Sequence, residues 1–230
     1  MNPRSLSTFL KWHLMLPVVI FIIGAILFQT THLDLATGDF FFRDGAFSGR
    51  DGFWADRVIH KGGGVLVVSV ALIGLAGLLG SFVLEMLKPW RKSCGYLLLC
   101  MAAGTGIVGG LKQITNVDCP WDLAHYGGKK QMPYVHIFDD KPDDLARGKC
   151  FPGGHSSGAF SLFALYFLAR KHRPEWRKPV LATVLVLGFC WGLGQWARGA
   201  HFPSHDFYSA FIGWMACLGL YRLMWKKEAV

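Results

Sequence analysis

Charge is scarce in this sequence: 17% of its 230 residues are Asp, Glu, Lys or Arg, where a soluble globular domain carries about 25%. Acidic residues are the scarcer kind, 15 against 24 basic. No internal repeat, low-complexity tract or composition shift marks a boundary, so one domain over 1–230 is expected. The six cysteines include no Cys-x-x-Cys pair and no histidine set at zinc spacing, which argues against a zinc site. No small-x-small cleavage site follows the first apolar run, which ends in Phe28-Gln29-Thr30-Thr31-His32. That run is expected to remain as an uncleaved helix.

Apolar residues are abundant, 52% of the chain, with a mean hydropathy of +0.33. They fall in blocks near the ~20 residues that cross a bilayer as helix. Six blocks stand out, at 12–28, 62–84, 94–111, 153–169, 180–197 and 207–225. The expected fold class is all-α, a polytopic membrane protein of six transmembrane helices in one bundle. The net charge of +9 sits in short clusters between apolar runs, not as a stripe beside a soluble core. That is the membrane pattern, so the bilayer and not nucleic acid is the expected partner.

Six spans divide the loops into two sets. The set holding both termini, 88–92 and 170–178 carries thirteen basic residues in short segments and, with Glu85 just before 88, three acidic ones. The set at 29–61, 112–152 and 198–206 carries eleven basic and twelve acidic residues over far more chain. Basic density places both termini in the cytoplasm and the long loops outside, as in a bacterial-type inner (plasma) membrane. Gly74, Gly77 and Gly80, like Ala102, Gly106 and Gly110, read as helix-packing positions. His13 and His60 read as interfacial bystanders, and His172 as cytoplasmic charge. The segment 31–61, with Phe40-Phe41-Phe42 and Phe53-Trp54, reads as an anchor lying among headgroups.

The polar residues at the outer ends of the spans converge. Lys112 ends the third span, Cys150-Phe151-Pro152-Gly153-Gly154-His155 enters the fourth, and Arg198 ends the fifth. Gly199-Ala200-His201-Phe202-Pro203-Ser204-His205-Asp206 leads into the sixth. Such a cluster suits an anion, and phosphate best. A helix opening at Gly153-Gly154 turns free N–H groups and its positive dipole end toward a bound anion. Lys112 and Arg198 would neutralise further oxygens, Arg as a planar fork. Histidine can attack phosphorus or carry a proton near neutral pH.

Pro152-Gly153-Gly154-His155 resembles the Pro-Ser-Gly-His motif of the type 2 phosphatidic acid phosphatase superfamily. The segment 194–206 resembles that family's third motif (Ser-Arg, five residues, His, three residues, Asp), and Lys112 with Cys119-Pro120 its first (Lys, six residues, Arg-Pro). The resemblance covers the chain from about Lys112 onward and implies a membrane-bound phosphatase that needs no metal and no cofactor. By position, His201 would be the nucleophile that forms a phosphohistidine, and His155 the general acid. Lys112 and the amides of Gly153 and Gly154 would bind phosphate. The sequence departs from the pattern at Cys119 (Arg), Gly153 (Ser), Gly194-Gln195 (Ser-Arg) and His205 (Asp). Arg198, three residues after Gln195 and so on the same helix face, is expected to replace the lost clamp. Asp206 is expected to orient His201, with His205 as competitor.

Cys94, Cys100, Cys190 and Cys217 lie within spans and read as packing residues. Cys119 and Cys150 flank an outer loop in an oxidising compartment, where a disulfide would pin the first motif to the second; free thiols are the alternative. The charged loop between them is expected to cover the site. A site at headgroup depth implies a membrane lipid phosphate or diphosphate as substrate. A lipid phosphotransferase using the same residues, an inactive lipid-binding relative and a transporter are the other readings. A transporter would carry ionisable groups deep within its spans. Neither the particular lipid nor the oligomeric state is legible.

Overall fold

The computed structural model describes residues 3–142 and 144–226, with side chains from residue 6. The side chain of Arg4 and the residues Asp143, Lys227 and Glu228, used in the charge balance above, lie outside the described residues. The protein is 74% helical with almost no sheet.

Among the described residues, five helices are long and apolar enough to cross a membrane: α1 (Leu6–Thr30), α3 (Phe53–Gly80), α4 (Glu85–Ile114), α7 (Pro174–Ala197) and α8 (Pro203–Met224). The short α2 (Leu33–Phe41) follows α1. A hairpin of β1 (Phe42–Arg43) and β2 (Ala46–Phe47) comes next, turning on Asp44-Gly45, both at positive φ. Among the described residues this hairpin and an isolated bridge, Leu123 to Met132, are the strand pairings. The expected fourth span is two shorter helices, α5 (Gly154–Ser161) and α6 (Phe163–His172). They meet at Leu162, and neither is long enough to count as a span.

The reason lies in their position. Helices α5 and α6 pack against α4, α7 and α8, and Ser156, Ser157, Ala159, Phe160, Ser161, Phe163, Ala164 and Phe167 are all buried. A helix surrounded by protein needs no lipid-facing hydrophobicity. The hydroxyls of Ser156, Ser157 and Ser161 donate to the carbonyls of Gly153, Gly154 and Gly158, three residues back, which satisfies them without solvent. By contrast α1 and α3 present Ile20, Ile23, Ile26, Val65, Leu72 and Ile73 outward, as lipid-facing helices do.

Several packing expectations need correcting. Gly74, Gly77 and Gly80 do receive Leu97, Cys94 and Leu87 at close range. Gly106 and Gly110 instead face open space, while Gly104 on another face of α4 meets Ser161 and Gly213 of α5 and α8. Cys100 and Cys217 are buried, but Cys190 is exposed. His13 is a core residue, stacked on Phe9 and bonded to Tyr166 Oη at 2.7 Å. Four residues on, Pro17 has no N–H to give the His13 carbonyl; Trp214 Nε1 donates to it instead, at 2.7 Å. His172 contacts Ser93 Oγ at 2.8 Å, so it ties α6 to α4.

The segment 31–61 is more built than an anchor. Phe40, Phe53 and Trp54 are exposed, while Phe47 packs into a small cluster with Leu123, Tyr126, Met132 and Phe202. Asp34, buried in α2, accepts hydrogen bonds from Ser204 N (3.0 Å) and Ser204 Oγ (2.6 Å). It thereby caps the start of α8 from outside that helix.

Candidate active site

Three chain segments meet where α4 ends and α5 and α8 begin. Lys112 lies in the last turn of α4, over the start of α5: a Cβ on Gly154 would come 3.2 Å from its Nζ. Gly153 is the N-cap of α5, and its N–H is taken by the His205 carbonyl at 3.0 Å. The N–H of Gly154 remains on that opening beside the ammonium. His155, one residue on, is exposed and reaches into a cavity of about 210 Å³ shared with His60, Gly64, Val68, Gly158 and Gln195.

His201 is buried, 6% exposed. Its Nδ1 lies 3.2 Å from His205 Nδ1 and 3.5 Å from Cys150 Sγ. Cys150 is bonded to Cys119 with a Cα–Cα distance of 5.2 Å. A disulfide sulfur carries no proton, so a hydrogen bond between it and His201 requires the proton on Nδ1 of His201. That tautomer leaves Nε2 with its lone pair. Burial above all, then the charges of His205, Lys112, His155 and Arg198, holds the His201 pKa well below the ordinary imidazole range. The ring is therefore neutral at physiological pH.

The structure brings His205, not Asp206, to His201. The Asp206 carboxyl points away, accepting from Trp196 Nε1 at 2.6 Å through Oδ2, while Oδ1 has no hydrogen-bond partner. It fills space left by two glycines: a Cβ on Gly153 would collide with Oδ1, and one on Gly192 would sit 2.6 Å from Oδ2. The glycine at 153 is thus required by the aspartate at 206.

Arg198 is partly engaged. Its Nη2 pairs with Asp56 Oδ1 at 3.2 Å and its Nη1 donates to Gln195 Oε1 at 3.3 Å, while the buried Nε is unpaired. Asp56 and His60, both near the N-terminal end of α3, were not anticipated as site residues. His60 packs against His155 with ring centroids 4.0 Å apart and planes tilted by 45°, and lies 3.1 Å from Gln195 Nε2 through its Nδ1. It is no interfacial bystander. Its signal was present, since His60 flanks a span end as Lys112 and Arg198 do. For a metal, the donor atoms of Cys150, His201 and His205 lie within 4.8 Å of one another. With Cys150 Sγ committed to the disulfide, two imidazoles remain.

The PAP2 superfamily pattern matches residues 94–229, more than half of the chain and all of the segments just described except α3. The chain belongs to the PAP2 superfamily. Membership carries phosphatase chemistry on phosphate esters. Comparison with curated proteins and with solved structures gives no match. Within this PAP2 protein, the loop at residues 120–142 packs over the His205 side. Trp121 N donates to the Gly199 carbonyl at 2.9 Å, and Tyr134 meets Phe202 edge-on. Its buried Lys141–Asp118 ion pair anchors it beside the disulfide.

Proposed function

We infer that this chain is a single-domain lipid phosphatase of the membrane, with α5 and α6 together forming a sixth span, both termini cytoplasmic and the site at the outer face. The observation that carries this reading is the meeting of Lys112, the Gly154 amide, His155 and neutral His201 at one end of a set of apolar helices. The phosphoryl group of a membrane lipid binds against Lys112, the opening of α5 and the free edge of Arg198. His201 Nε2 attacks phosphorus in line with the lipid oxygen, the N–P bond forming as the P–O bond breaks. His155 protonates the departing alkoxide. Water then releases phosphate from His201.

His205 supports the first step, because it shares the Nδ1 proton of His201 and holds the ring with Nε2 turned to the phosphate. A lipid substrate suits the surroundings of His155: the cavity's Gly64 and Val68 belong to the exposed apolar surface of α3. A chain can reach the site there from the side.

The test is release of phosphate from a panel of lipid mono- and diphosphates by the purified full-length protein, with and without chelator. Release from at least one lipid, undiminished by chelator, is expected. No release from any of them contradicts the reading. Appearance of the phosphoryl group on an acceptor lipid instead of in water makes the enzyme a phosphotransferase.

A further inference from the structure

The third-motif departures at Gly194-Gln195 face α3, which lies outside the matched residues 94–229. A Cβ on Gly194 would come within 2.7 Å of Ile59, and one on Gly63 would collide with the Trp191 indole. Ile59 and Gly63 thus dock the outer end of α3 onto α7 on either side of His60. That end is wound as a π-helix, Phe53–Gly62, a rare form frequent at functional sites. The position of His60 beside the phosphate site follows from this docking.

The hydrogen bonds also set its proton. Arg198 has only donors, so its Nη1 contact must be to the oxygen of the Gln195 amide, 3.3 Å away. The amide nitrogen then faces His60, and its N–H donates to His60 Nδ1 at 3.1 Å. A ring nitrogen that accepts carries no proton, which puts the His60 proton on Nε2. Among the described residues no hydrogen bond is made by that Nε2. His60 lines the cavity that His155 and Gly154 also line.

We propose that His60 is a phosphate-binding residue of this enzyme: its Nε2–H donates to a phosphoryl oxygen, in place of the arginine that the family carries at Gln195. The proposal rests on the phosphatase reading above. It gives Gln195 a defined task, holding the His60 tautomer with its nitrogen and Arg198 with its oxygen. It also spares the site a further fixed charge beside Lys112, Arg198 and the His155 ring.

Three substitutions separate binding from mere packing. His60→Phe keeps a ring packed on His155 without a donor. His60→Asn can keep the contact to Gln195 but has nothing at the Nε2 position. His60→Gln reaches that position with an amide N–H. Inhibition by inorganic phosphate and kcat/KM for a soluble phosphate monoester are measured on the full-length protein in detergent, with melting checked for each variant. Phe and Asn should both lower kcat/KM by about 10²-fold, the scale of one lost donor to a reacting oxyanion, and weaken phosphate inhibition. Gln should recover about tenfold of that loss and restore part of the inhibition. Asn matching or exceeding Gln overturns the proposal, as does wild-type behaviour in all three, and the Asn–Gln comparison stands even if Phe fails to fold. Wild type that neither hydrolyses phosphate esters nor binds inorganic phosphate removes the parent reading and this proposal together.

Discussion

Each residue at which this chain leaves the family pattern has a neighbour that accounts for it. Cys119, standing for arginine, is tied to Cys150 beside His201. Gly153 makes room for Asp206, and Gly194 for Ile59. Gln195 bridges His60 and Arg198. His205, at the position of the family's aspartate, meets His201 Nδ1 to Nδ1 at 3.2 Å. These contacts give a sharp expectation for the pair of candidates at 205 and 206. His205→Ala should lower kcat by about 10²–10⁴-fold, because His201 loses the partner that holds its ring and tautomer. Asp206→Asn keeps an acceptor for Trp196 Nε1 and should lose less than about tenfold, the scale of a neutral hydrogen bond. Steady-state rates on a lipid phosphate decide it; a larger loss at 206 than at 205 reverses the assignment.

At the scale of elements, two helices outside the family match hold the site in place. Helix α2 supplies Asp34, whose carboxyl caps α8 and is pushed by burial to a pKa of about 6. The folded state therefore holds this proton more tightly than the unfolded chain does. The stabilisation is complete below the unfolded value near 4 and is lost as pH rises through about 6. It amounts to about 3 kcal/mol at most. Asp34→Asn keeps a cap without a charge, so wild type should gain stability relative to this variant as pH falls from 7 to about 4.5. Melting in detergent at several pH values measures it, and a constant difference between the two proteins contradicts it. Helix α3 borders the cavity beside His155 at Gly64, where an added Cβ meets nothing within 4 Å. Gly64→Leu should fold normally yet lower kcat/KM for a long-chain lipid phosphate at least about tenfold more than for a soluble ester, since one bulky side chain fills the slot. Equal effects on both substrates would mean that lipids reach His155 by another route.

At the scale of the whole molecule, what could be read from the sequence followed the physics of its surroundings. Lipid-facing helices α1, α3, α4, α7 and α8 announced themselves, because contact with hydrocarbon demands long apolar runs. Helices α5 and α6 did not read cleanly, since a helix enclosed by protein can carry serine and glycine on every face. The cluster of Lys112, Gly153, Gly154, His155, Arg198 and His201 was legible from span ends alone. Of the parts that were missed, His60 sat at a span end like Lys112 and Arg198, whereas Asp34 and Asp56 act through contacts with Ser204 and Arg198, far away in the chain, which no local pattern encodes. Choosing His205 over Asp206 likewise needed side-chain directions at the first turn of α8, where neighbours in sequence face different ways.

The central claim is that His201 carries the phosphoryl group. The direct measurement is to mix full-length protein with a lipid phosphate, quench in denaturing detergent at alkaline pH, where a phosphohistidine N–P bond survives, and map the modified peptide by mass spectrometry. A phosphoryl group on His201, formed and lost at rates that match turnover and absent from folded His201→Ala, is the predicted result. Turnover without any protein-bound phosphoryl group, or with the group on His155 or His205, would contradict the account.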